Sequence, residues 1–285
     1  MSTNKPTEAA APTTARTTIN GVDYYYEIHG QGEPLLMLHG GLMSGASFHP
    51  LLPALIETHR VILVDLQGHG RTTLGDRPIS LAANADDIDA LLGKLGVAQA
   101  DVFGYSFGGG TALHLAARHP ERVRKLVIMS APYAQDGFYP EMLPQQAAVS
   151  AKLLPMMKDS PLYQQYIAVA PKPDDFGPLL DRMGEVMRTW HDYAGEVAKI
   201  TAPTMLVFGD SDMVRFEHIT EFYKRIGGGQ KDAGWQREHM AKNRLAVIPD
   251  ATHYDILYSP LLVATLRHFL DGNTEAKNPA RVSAR

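Results

Sequence analysis

Short apolar runs alternate along the chain with segments whose apolar residues recur every three or four positions, a pattern of strands and helices that one long interruption breaks. VDYYYEIHG (22–30) alternates and is rich in aromatics, which predicts a strand paired in a hairpin with the preceding TTIN across Asn20 and Gly21. PLLMLHGG (34–41) is apolar up to its glycines, the pattern of a strand buried on both faces, so a parallel sheet begins here. Residues 44–59 read as helical despite Pro50 and Pro53, and RVILVDLQGHG (60–70) is a second apolar strand with a glycine loop. SLAANADDIDALLGKLG (80–96) opens on Ser80 as an N-cap and spaces Ile88, Leu91, Leu92 and Leu95 on one helical face. DVFGY (101–105) and RVRKLVIMSAP (122–132) are further buried strands, with the helical TALHLAARH between them.

Regularity fails between residues 133 and 200. Seven prolines, from Pro140 to Pro178, punctuate short helical pieces, among them PLLDRMGEVMRTWHDYAGEVAK, and Met142, Met156, Met157, Met183 and Met187 fall here. Such residues fill a small core, and methionines also suit an adaptable apolar lid over a pocket. The sheet resumes with APTMLVFGDSD (202–212), a helix over 216–226, a polar loop, the strand RLAVIPD (244–250) and a last helix ending at Gly272. Strands alternating with helices predict an α/β fold with a doubly wound, mostly parallel sheet. The expected division is a disordered extension over 1–16, a core over 17–132 and 201–272, a helical cap over 133–200, and a tail over 273–285.

Composition narrows the function classes. The 285 residues carry a net charge of −4, with no basic footprint for nucleic acid or an anionic membrane, so a small molecule is the expected partner, bound by a monomer or homodimer. The absence of cysteine removes thiolate nucleophiles, disulfides and Cys-ligated zinc. The N-terminal stretch, rich in Ala, Thr and Pro, has no continuous apolar core, and no segment is apolar for the roughly 18 residues a membrane span needs. A cytoplasmic protein is expected.

The chemistry centres on DVFGYSFGGGTALHLAARH (101–119). A serine wedged between a strand and a helix is forced toward positive φ, which costs a non-glycine residue on the order of 1–3 kcal/mol. Gly104 and Gly108 let strand and helix approach closely, so the Ser106 hydroxyl stands at the tip of the turn, facing the positive end of the helix. That hydroxyl needs a base, and imidazole suits neutral pH. Among 12 histidines His253 lies just beyond the strand AVIPD, where loops at the carboxyl ends of strands converge. An acid to orient it should stand on another such loop, and Asp212 and Asp210 in G-D-S-D are rivals for that place.

Taken together, L-H-G-G (38–41), D-L-Q-G-H-G-R-T (65–72), G-Y-S-F-G (104–108), G-D-S-D (209–212) and A-T-H (251–253) make residues 17–272 resemble the α/β-hydrolase superfamily, in its order Ser, Asp, His. The resemblance implies eight strands, a helical cap inserted after the sixth, and a Ser106–Asp212–His253 triad, selecting Asp212 over Asp210. It implies an oxyanion hole from the backbone N–H groups of Gly41 and Phe107, with Leu42 the lesser candidate, and structural roles for His39 and His69. Gln67 departs from the arginine many relatives carry, a change expected to alter loop bracing. A nucleophilic serine argues against the branches that attack with a carboxylate, and no cofactor or metal is expected. The implied function is hydrolysis of carboxylic esters or lactones of small, largely apolar substrates through an acyl-enzyme. Perhydrolysis of the cofactor-free haloperoxidase type and carbon–carbon bond hydrolysis are alternatives on the same triad, and a slow-turnover ligand sensor is an alternative of another class.

Overall fold

The computed structural model describes residues 11–272. Eight strands form one sheet: β1 (Thr13–Ile19), β2 (Val22–His29), β3 (Glu33–Leu38), β4 (His59–Val64), β5 (Ala100–Tyr105), β6 (Val123–Met129), β7 (Thr204–Ser211) and β8 (Arg244–Thr252). Their order is β1-β2-β4-β3-β5-β6-β7-β8, antiparallel at β1/β2 and β2/β4 and parallel beyond. The β1–β2 hairpin turns on Asn20 and Gly21, both at positive φ (48° and 80°), the geometry of a two-residue turn that matches strand twist. β1 starts at Thr13, so residues 13–16 belong to the sheet and not to a disordered extension; they pair with Ile28 back to Tyr25. Residues 1–10 and the expected tail over 273–285 lie outside the described residues.

The continuous apolar strands bury both faces, and successive side chains divide between two cores. Leu36, Leu38, Ile62, Val64, Val102, Leu126, Ile128, Leu206 and Phe208 face one side, against Ile88, Leu91 and Leu92 of helix Leu81–Lys94, helix Phe107–Arg118, and Ile219 and Phe222 of helix Phe216–Arg225. Leu35, Met37, Val61, Leu63, Phe103, Val127, Met129, Met205 and Val207 face the other, against Phe48, Leu51 and Leu55 and against Leu262, Leu266 and Phe269 of helix Leu262–Leu270. Ser80 caps helix Leu81–Lys94 by accepting the Ala83 N–H at 3.1 Å. No helix among the described residues is long and apolar enough to cross a membrane.

Two helical expectations are corrected. Residues 44–59 form a 3-10 segment, Gly45–Leu51, and one α turn, Leu52–Leu55, because Pro50 and Pro53 leave no uninterrupted backbone ladder; β4 begins at His59. Residues 178–199 form two helices, Phe176–Arg188 and Ala194–Val197, since the chain leaves the first to bury Trp190 and to donate the Tyr193 N–H to Tyr133 O at 2.8 Å. The helical pieces between β6 and β7 join the first core through Tyr166, Phe176, Leu179, Leu180 and Met183.

Strand order reverses between β3 and β5, whose carboxyl ends lie side by side with Leu38 paired to Gly104. A switch point of this kind opens a crevice beyond the strand ends, and the loops after β3 and β5 enter it.

Candidate active site

Ser106 follows β5 and precedes helix Phe107–Arg118 with φ 53° and ψ −116°, the strained conformation expected of it. Its backbone is held by N–H donation to Met129 O at 2.8 Å and by its carbonyl, which accepts the Gly110 N–H at 3.0 Å. The two glycines have no substitute: a Cβ on Gly104 would stand 2.2 Å from Gly108 O, and one on Gly108 would stand 2.1 Å from Leu38 O. The turn is therefore tight against both the strand before it and the loop after β3.

His253 and Asp212 reach Ser106 from the ends of β8 and β7. Ser106 Oγ lies 3.0 Å from His253 Nε2, and His253 Nδ1 lies 3.2 Å from Asp212 Oδ1. Both side chains are buried, with His253 at 7% and Asp212 at 6% exposure, so the imidazole orientation is fixed by this chain of contacts. Asp210 stands elsewhere. It is exposed, and its carboxylate accepts the backbone N–H groups of Asp250 (3.1 Å) and Ala251 (3.3 Å), which pulls its pKa down.

Two further residues hold the constellation that sequence reasoning did not single out. Ser130, the first residue beyond β6 and itself at φ 52°, donates its hydroxyl to Asp212 Oδ2 at 2.5 Å. Tyr105, inside the G-Y-S-F-G motif, donates its hydroxyl to the carbonyl of His253, with the two rings 5.5 Å apart. The signal for Ser130 was a lone polar residue closing the apolar run LVIM; for Tyr105 no spacing rule pointed across 148 residues to His253.

The loop after β3 brings Gly41 to the Ser106 turn. A Cβ on Gly41 would lie 3.9 Å from that of Phe107 and 3.0 Å from Met183 Cε of helix Phe176–Arg188. Leu42 takes φ 62° in the turn closed by Met43 N–H to Gly40 O at 3.3 Å. Phe107 opens its helix, so its N–H has no intrahelical acceptor.

His39 and His69 pack beneath this turn. Leu66 N–H donates to His39 Nε2 at 3.0 Å, which leaves the proton on Nδ1, donated to Gly40 O at 2.7 Å. Both ring nitrogens are thereby committed, and burial pushes the pKa of His39 down to about 4. His69 lies 5.2 Å from the His39 ring and 5.7 Å from that of Phe107; burial, with the charge of His39, brings its pKa to about 3. Neither is placed to take a proton from Ser106. Gln67 is buried and braces its own loop, donating to Leu74 O (2.8 Å) and Arg77 O (3.1 Å). Among the described residues the clusters that could hold a metal ion, Glu27–His29–His49 and Asp89–His119–Glu121, include none of these.

Known proteins align with this arrangement. The model of the alpha/beta hydrolase fold family matches residues 33–183. The chain is 32% identical over 260 residues to the pimeloyl-[acyl-carrier protein] methyl ester esterase of Neisseria meningitidis, an alignment covering 83% of this chain and 92% of that protein. It is 42% identical over 109 residues to the 2-hydroxymuconate semialdehyde hydrolase of Pseudomonas sp. strain CF600, covering 36% and 38%. Three matches above 40% identity, this one among them, span 38 to 44% of the relatives' own lengths. Among solved structures, an N-acyl homoserine lactonase, AidH, bound to N-hexanoyl homoserine superposes with a TM-score of 0.68 at 26% identity, over 94% of this chain and 99% of that one. The enol-lactonase of Burkholderia xenovorans LB400 shares the fold, with a TM-score of 0.68 at 21% identity over 90% and 100%. With its strand order, its serine turn and a family match over more than half its length, the chain belongs to the alpha/beta hydrolase fold family.

Proposed function

We propose that the protein is a serine hydrolase that cleaves carboxylic esters or lactones of small, largely apolar substrates, with Ser106 as nucleophile, His253 as base and Asp212 as the acid that orients it. The observation that carries this reading is the pair of distances through one imidazole, 3.0 Å from Nε2 to Ser106 Oγ and 3.2 Å from Nδ1 to Asp212 Oδ1. Ser106 Oγ attacks the carbonyl carbon as its proton passes to His253 Nε2, and Asp212 stabilises the imidazolium. The N–H groups of Phe107 and Gly41 receive the oxyanion, each worth roughly 3 kcal/mol in such a site. Collapse expels the alcohol, which takes the proton from His253. Water then loses a proton to His253 and attacks the acyl-enzyme, releasing the acid and restoring Ser106.

Helix Phe176–Arg188, which brings Met183 to Gly41, supplies the apolar lid in this reading. The esterase and lactonase named above support ester or lactone cleavage, one by near full-length alignment and the other by structural likeness. Carbon–carbon cleavage is favoured by a single observation, the 42% identity to the semialdehyde hydrolase over 109 residues.

A fluorophosphonate probe should label Ser106, located by mass spectrometry, and Ser106→Ala should lose both labelling and turnover of aryl esters and lactones. Labelling at another residue, or full activity in that variant, would falsify the assignment. Assay of a meta-cleavage dienoate beside the esters separates carbon–carbon from ester hydrolysis.

A further inference from the structure

On the antiparallel edge of the sheet a set of ligating side chains is assembled from two separate stretches of sequence. Glu27 and His29 stand two residues apart on β2, hence on one face, and His49 reaches them from the 3-10 segment Gly45–Leu51. Glu27 Oε2 is 2.8 Å from His29 Nε2 and 3.0 Å from His49 Nε2, and the three atoms all lie within 4.8 Å of one another. The Tyr25 hydroxyl donates to the other carboxylate oxygen at 3.1 Å. Glu27 and His29 are largely enclosed, with side chains 8% and 15% exposed, and His49 at 46% leaves one side open to water.

We propose that Glu27, His29 and His49 bind a first-row divalent ion of the zinc type, through one carboxylate and two neutral imidazoles, with a fourth position left to water. Two imidazoles and a carboxylate are the donor set such ions prefer, and Mg2+ or Ca2+, which seek oxygen, are poorly matched to it. Ligand atoms at 2.0–2.2 Å from a tetrahedral zinc stand about 3.3 Å apart, so the 2.8 and 3.0 Å separations from Glu27 need shifts of a few tenths of an ångström, and the two imidazole nitrogens, within 4.8 Å of each other, close by at most about 1.5 Å. Asp65 is a second buried carboxylate whose pKa is raised by burial and by the charge of Glu27, while Arg71, 3.8 Å from Asp65, is the nearby cation. A divalent ion adds the positive charge this negative pocket favours.

The ion would fasten the Gly45–Leu51 segment to β2. The rival cluster is weaker as a site, because Arg122 already takes Asp89 at 2.7 Å, His119 is bonded to Asp86 at 2.8 Å, and Glu121 is exposed.

The test is titration of the chelator-stripped full chain with Zn2+ by calorimetry, with thermal unfolding in parallel and Mg2+ as the comparison. One ion per chain, a rise in Tm with Zn2+ and none with Mg2+ are expected. His49→Ala should weaken Zn2+ binding at least tenfold and remove the rise in Tm, while His119→Ala leaves both unchanged. Co2+ bound to the unaltered chain should give the visible absorption of a tetrahedral site, a readout that needs no variant. Absence of saturable Zn2+ binding, wild-type affinity in a folded His49→Ala chain, or loss of binding in His119→Ala would each overturn the proposal.

Discussion

Ser130 Oγ and Asp212 Oδ2 lie 2.5 Å apart, and the other oxygen of that carboxylate faces His253 Nδ1 at 3.2 Å. The Ser130 hydroxyl, with the Gly209 N–H at 3.4 Å on the same oxygen, thus sets the angle at which Asp212 meets His253. A hydrogen bond to a charged group is worth about 1.5–3 kcal/mol. If only part of it reaches the transition state, Ser130→Ala should lower kcat about tenfold with KM little changed. Ser130→Thr, which keeps the donor, should restore much of the rate. Steady-state kinetics of the two variants measure both.

Asp212 and Asp210 separate in the same assay. Asp212→Asn puts a donor where His253 Nδ1–H needs an acceptor, and the wrong tautomer should cost on the order of 10⁴ in kcat. Asp210 accepts from the backbone of Asp250 and Ala251 and from Ser211, away from His253, so Asp210→Asn should leave kcat within about threefold. An equal loss in both variants would sink the assignment of the acid.

What could be read from the sequence was whatever depends on local pattern. Apolar runs located the central strands because a strand buried on both faces must be apolar at every position, and the glycines around Ser106 marked a turn that only Gly permits. The rest needed coordinates because it depends on long-range closure. Ser130 meets Asp212 across 82 residues, Tyr105 meets the His253 loop across 148, and Glu27 meets His49 across 22, none by a repeating spacing. The start of β1 was missed for another reason: Thr13, Thr14 and Arg16 are polar and exposed because an edge strand faces water, and polarity there reads as disorder. The single helix expected over 178–199 failed because the pull of Trp190 into the core outweighs propensity at residues 189–193.

The glycines give a direct stability test. Gly108→Ala would place a methyl group 2.1 Å from Leu38 O, and neither backbone can retreat without moving the serine turn or β3. A loss of roughly 3 kcal/mol or more is expected, from steric overlap in a packed site. Gly96, at φ 67° but with nothing within 4 Å of a Cβ, isolates the backbone component, and Gly96→Ala should cost only about 1 kcal/mol. Urea unfolding of the two variants side by side checks the difference.

Arg182 of helix Phe176–Arg188 donates from Nη1 to Leu74 O (3.2 Å), Gly75 O (2.8 Å) and Arg77 O (2.7 Å), two of which Gln67 also serves. The helix that brings Met183 to Gly41 is therefore tied to the 74–77 loop through one guanidinium. Arg182→Met should destabilise the fold by about 2 kcal/mol, as part-buried carbonyls lose donors, and should raise KM more than it lowers kcat. Because both residues share acceptors, a double-mutant cycle with Gln67→Ala should show a coupling of about 1 kcal/mol.

Acid sensitivity follows from four buried imidazoles. Burial lowers the pKa of His39, His114 and His218 to about 4 and, helped by the charge of His39, that of His69 to about 3. Each regains a value near 6.5 on unfolding. Between about pH 4 and 6.5 the unfolded chain therefore binds more protons than the folded one, so stability rises with pH through that window, is complete above it and is lost as pH falls. Each group contributes a slope of up to 1.4 kcal/mol per pH unit. His114 isolates one such contribution, since its Nε2 has no hydrogen-bond partner and its ring meets that of Tyr193 edge-on at 4.6 Å. His114→Phe keeps the aromatic contact and removes the titration. Urea unfolding at pH 7, 6 and 5 should show the variant losing stability less steeply than the parent, by about one proton's worth; identical slopes would show that His114 does not titrate in this window.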